Sequence, residues 1–147
     1  MDPEKRYWLN RYIVKKRRIE ILAKRLGELD SGSEYLRSVS YSGMPSVKRD
    51  TSITEKQAIK KIELEERINC LKIKAREIKT EILDAIDSMD NPTRADILER
   101  HFILDQSLPF IAEDMDFTER HTIRLYSRAV SEIDLTKWIG DRPGDIG

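Results

Sequence analysis

From Leu64 to Met89, apolar residues recur in alternating steps of four and three: Leu64, Ile68, Leu71, Ala75, Ile78, Ile82, Ala85 and Met89. No proline falls between Pro45 and Pro92. An unbroken seam of this period needs one long helix, and its apolar edge must be covered along its whole length. The stretch Ser52-Ile53-Thr54-Glu55 reads as a capping box, so the helix is expected over residues 52–89. At about 1.5 Å per residue it would span roughly 57 Å, too long for the side of a small globule.

A second seam supplies the cover. Trp8, Tyr12, Lys15, Ile19, Leu22, Leu26 and Leu29 step by four and three through a helix expected from Glu4 to Asp30, with Gly27 able to end it a turn early. An antiparallel helical hairpin is the simplest pairing, and self-association into a homodimer through the same seam is its rival. Between the helices, residues 31–51 are rich in serine and carry Gly32, Gly43 and Pro45, which predicts a loop. Six glycines and five prolines in 147 residues are too few for the frequent turns of an all-β chain. The expected class is therefore all-α: a coiled-coil-like arm over 1–89, a three-helix unit over 90–135 and a tail over 136–147.

The three-helix unit begins where Asp90-Asn91-Pro92-Thr93 breaks the long helix. Arg94–Leu104 should bury Ile97, Leu98 and Phe102. Ser107 can cap a second helix, with Pro109 in its first turn and Phe110, Ile111 and Met115 inward. Thr118 can cap a third, from Glu119 to Asp134, burying Ile123, Val130 and Ile133. Two short helices joined by the tight turn Asp114-Met115-Asp116-Phe117-Thr118 have the sequence form of a helix-turn-helix, with the small Ala112 where they cross. Thr118 and the N–H groups after it can receive a phosphate. Arg120, His121, Arg124, Ser127 and Arg128 share one face, from which arginines can reach guanine edges or phosphates in a major groove. With Thr122 from the same helix, these residues make up the expected DNA-binding set.

The segment ADILERHFILDQSLPFIAEDMDFTERHTIRLYSRAVSEI resembles the promoter-reading region 4 of sigma factors. Residues 5–135 also resemble phage late-transcription regulators of the RinA and ArpU type. Those share a basic first helix, an SGMP-like stretch (here Ser42-Gly43-Met44-Pro45), a long charged helix and a C-terminal helix-turn-helix. The last helix, Thr118-Glu119-Arg120-His121-Thr122-Ile123-Arg124-Leu125-Tyr126-Ser127-Arg128-Ala129-Val130, follows the family's pattern. The resemblance implies sequence-specific binding of double-stranded DNA at a promoter. It also implies activation of phage late genes with host RNA polymerase as a partner.

Charge narrows this expectation. Residues 1–30 carry nine Lys/Arg against five Asp/Glu, whereas residues 90–135 carry five arginines against ten acids, so the head is net −5. Any DNA contact must come from a local basic face rather than from the field of the whole molecule. Four consecutive cations, Lys15-Lys16-Arg17-Arg18, cover every side of a helix and read as a solvated surface. One cysteine, Cys70, and two histidines, His101 and His121, offer no zinc or disulfide framework. There is no phosphate-cradling glycine loop and no nucleophile beside a histidine base, so neither catalysis nor a cofactor is expected. No apolar run approaches membrane length, and MDPEKRYWLN lacks the apolar core of a signal peptide. The expected location is the cytoplasm of a bacterial host. Two other functions fit the same residues: an interaction adaptor whose head does not touch DNA, and a phage packaging-associated DNA-binding protein.

Overall fold

A computed structural model of the chain describes the backbone of residues 2–41 and 47–139, and the side chains of residues 2–30 and 54–139. The described residues are helical, with no strand among them. Six helices follow in order: α1 (Pro3–Tyr41), α2 (Val47–Asp87), α3 (Pro92–Phe102), α4 (Leu108–Asp114), α5 (Glu119–Glu132) and α6 (Thr136–Ile139).

The loop expected over 31–51 is corrected within the described residues, since 31–41 and 47–51 are helical. The backbone is helical to Tyr41 and again from Val47. Ser52 therefore lies inside α2, so the expected capping box does not start that helix. The SGMP stretch falls outside the described residues, as does the tail beyond Ile139. Serine and glycine are weak breakers: inside a helix they cost about 0.5–1 kcal/mol each relative to alanine, while extending a helix that already exists adds a hydrogen bond per residue. Gly27 shows the same economy, staying within α1.

The chain forms two compact units that do not divide at residue 89. One is Lys15–Ala75; the other joins Met1–Val14 to Arg76–Gly147. In the first unit Leu22 packs with Leu64 and Ile68, flanked by Ile19, Leu26, Leu29 and Leu71. Asp30 pairs with Lys61 at 2.8 Å and holds its ammonium above lysine's usual pKa range, through the hydrogen bond first and the charge second. Position numbers rise along α1 as they fall along α2, so the two helices run antiparallel here.

The second unit has one core. Trp8 and Leu9 from α1 and Ile82, Ala85 and Ile86 from α2 meet Ile97, Leu98, Phe102, Ile111, Tyr126, Ala129, Val130 and Ile133. Arg11 lies over the Trp8 ring at 4.6 Å and pairs with Glu81 at 2.9 Å. Lys5 Nζ donates to the carbonyl oxygens of Ser131 (2.8 Å) and Ile133 (2.9 Å), capping the C-terminal end of α5 with a cation. Asp134 Oδ1 accepts from the Thr136 N–H and hydroxyl, which start α6 and hold the carboxyl below its usual pKa. This sets Trp138 against Trp8, ring centroids 5.3 Å apart.

Candidate nucleic-acid interface

The ends of the three short helices follow from local chemistry. The Asn91, Ser107 and Thr118 side chains each accept the backbone N–H three residues on, at 3.1, 3.3 and 3.1 Å. Pro92 and Pro109 sit in first turns, where no N–H is needed. After α4 the Phe117 N–H bonds the Ala112 carbonyl at 2.8 Å and the Asp116 N–H bonds that of Glu113 at 3.3 Å. These two bonds make a Schellman closure. Its left-handed position is filled by Asp116, with φ of 59°, where glycine is the usual occupant. The closure turns the chain directly into the Thr118 cap, and α5 packs against both α3 and α4.

The buried face of α5 is Thr122, Tyr126, Ala129 and Val130. This corrects two expectations. Thr122, expected among the DNA-binding residues, is fully buried, and its hydroxyl donates to the Thr118 carbonyl at 3.0 Å. It serves the core and cannot reach a groove. Ile123, expected in the core, is 49% exposed. Thr122 can be buried because its hydroxyl is satisfied within its own helix, so polarity does not exclude it. Phe110 is likewise exposed, since Ile111 and Ala112 take the single inner face of the seven-residue α4.

The remaining expected site residues fall together. Arg120, Arg124 and Arg128 are exposed at successive turns of α5, and the half-buried Ser127 lies between the last two. His121, at the start of the helix, meets Phe117 edge-on at 5.0 Å. Thr118 is exposed; its Oγ1 accepts from the backbone, which leaves its own O–H free to donate. Ile123 completes this surface, and sequence reasoning missed it because it took hydrophobicity as a sign of burial. Spacing could have found it: stepping back from Val130 by four and four leads to Tyr126 and Thr122, not Ile123.

Ion pairing separates the five arginines of the head. Arg94 pairs with Glu132, and Arg100 with Asp114 at 2.5 Å. Among the described residues, Arg120, Arg124 and Arg128 have no such partner. The carboxylate of Asp114, which would oppose a phosphate at the turn, is therefore neutralised by α3. Glu113, Asp116 and Glu119 stay exposed there.

Other features suit chemistry less well. A groove of about 470 Å³ is lined by Ser88, Met89, Asp90, Asn91, Arg94, Glu132 and Asp134. Its cation is already held by Glu132, and its one hydroxyl, that of Ser88, donates to the Ala85 carbonyl at 2.7 Å. His101 Nδ1 lies 2.8 Å from the Gln106 carbonyl, with the ring packed edge-on against Phe102 and Tyr126. Cys70 is exposed. Among the described residues no cluster of His, Cys, Asp and Glu could hold a metal, and no helix is long and apolar enough to cross a membrane. Comparison of the chain with protein-family models, curated proteins and solved structures finds no match.

Proposed function

We propose that α3–α5 act as a helix-turn-helix that binds double-stranded DNA sequence-specifically, with α5 in the major groove and the long helices as its arm. The observation that carries this reading is the row of three unpaired, solvent-exposed arginines on α5, beginning in the first turn after the Thr118 cap. Arginine is the side chain best matched to guanine O6/N7 and to phosphate oxygens. The free N–H groups at the start of α5 and the Thr118 hydroxyl suit a backbone phosphate. Exposed Ile123 offers an apolar contact of the kind thymine methyl groups receive. The resemblance to phage late regulators extends the proposal to promoter DNA, activation of late genes and host RNA polymerase as partner.

A fluorescence-anisotropy titration of the full chain with duplex selected from a random pool tests it. Three arginines releasing counterions give a salt slope of about −2.7, so a fourfold rise in salt weakens binding about 40-fold. Arg124→Ala with Arg128→Ala should flatten that slope to near −1 while the helical circular dichroism stays unchanged. Absence of salt-sensitive association would instead support the adaptor, and binding unchanged by the double substitution would mean that the assigned face is wrong. The exposed acids Glu113, Asp116 and Glu119 are the feature that favours that second reading.

A further inference from the structure

Besides its buried seam, α2 carries a second one that faces outward. Ile59, Ile62 and Ile73 are 56%, 55% and 57% exposed, on the side away from Leu64, Ile68 and Ala75. With Glu66 and Asn69 they step by three and four through the Lys15–Ala75 unit: Ile59, Ile62, Glu66, Asn69, Ile73. An exposed stripe with coiled-coil period and a polar centre is the pattern of a helix that packs on a partner in one register.

We propose that this stripe pairs antiparallel with the same stripe of a second copy of the chain. Ile62 of each copy then faces Ile73 of the other. Glu66 faces Asn69, so that the carboxylate accepts from the carboxamide N–H on both sides of the two-fold axis. An isologous contact of this kind needs a surface complementary to itself; Ile62–Ile73 and Glu66–Asn69 supply it, and Ile59 meets the aliphatic stem of Arg76 at the edge. In the same register Glu65 flanks Lys72 of the second copy, twice.

The other registers are opposed by like charges. Sliding by one heptad in one direction sets Glu65 against Glu65. In the other it sets Lys72 against Lys72 and, although Glu65 then meets Lys79, it moves Ile62 onto Thr80 and Ile73 onto Asn69. A parallel in-register pair stacks Glu66 on Glu66 within the seam. Charge complementarity thus selects both the occupant and the orientation. The inference does not depend on the head binding DNA.

Sedimentation equilibrium of the full chain, from micromolar to near-millimolar concentration, tests it. The chain should be a monomer–dimer mixture. Glu65→Lys or Lys72→Glu alone should weaken the dimer about tenfold, since each turns two flanking attractions into repulsions. The double swap Glu65→Lys/Lys72→Glu should restore wild-type association. Glu65 and Lys72 are both exposed, so the circular dichroism of each variant should match the wild type.

Orientation is read by cross-linking in a Cys70→Ser background. Ile62→Cys and Ile73→Cys proteins, mixed and oxidised, should form the mixed disulfide, and neither should link to itself. A chain monomeric throughout, a double swap as weak as the single ones, or self-linking of each cysteine variant would each overturn the proposal.

Discussion

Thr122 and Ile123 are adjacent, and burial treats them against their polarity. Hydrophobicity alone ranks isoleucine inward, but a buried hydroxyl that donates to the carbonyl four residues back leaves no polar group unsatisfied. The difference should be measurable. Ile133→Ala, at a fully buried position, is expected to cost about 2–5 kcal/mol, and Ile123→Ala less than about 0.5 kcal/mol. Urea unfolding of the two variants checks this, and equal losses would mean that Ile123 too is buried. Tyr126 gives a second test. Burial pushes its phenol above the ordinary value of 10, against the pull of the Arg6 guanidinium. A raised folded pKa favours the neutral phenol in the native state. The stability it brings is complete below about pH 10 and is lost as pH rises through the folded value. Tyr126→Phe should therefore lose less stability than the wild type between pH 9 and 11, as read from urea midpoints. Parallel decline of the two proteins would assign the alkaline transition to another group.

At the scale of elements, the caps of the short helices were legible, whereas the capping box expected at Ser52–Glu55 falls inside α2. Ser107 and Thr118 hold the first turns of α4 and α5 where serine and threonine before an apolar run predict them. Breaks were less legible, because a serine- or glycine-containing stretch becomes helical when long helices flank it. The turn between α4 and α5 combines both lessons. Its residues were recognisable as a turn, but only the backbone shows that Asp116 occupies the left-handed position. Glycine there removes a steric penalty and loses some of the gain to its freer unfolded chain. Asp116→Gly should therefore stabilise the protein by about 0.5–1 kcal/mol. Thermal unfolding would report this as a rise of a few degrees, and a fall would mean that the aspartate makes a compensating contact.

At the scale of the whole molecule, the residues that complete the head come from the opposite end of the chain. Lys5, Trp8 and Leu9 close onto α5 and α6, and the chain's two tryptophans, Trp8 and Trp138, are the pair in ring contact. Trp8→Ala is expected to cost about 3–5 kcal/mol, and it should abolish the near-ultraviolet coupling between the rings. Retention of the wild-type melting temperature would show that α1 is dispensable to the head. Sequence alone determined the helical class, the two long seams, the caps of α4 and α5 and the arginine row, because each is a local matter of period, hydrogen-bonding group or spacing. Only the tertiary structure decided which side of α5 is inward, which arginines are spent on Glu132 and Asp114, and that residues 1–14 belong to the head. Those depend on which atoms meet across separations from 14 positions (Arg100 and Asp114) to 128 (Lys5 and Ile133), and no local pattern records that.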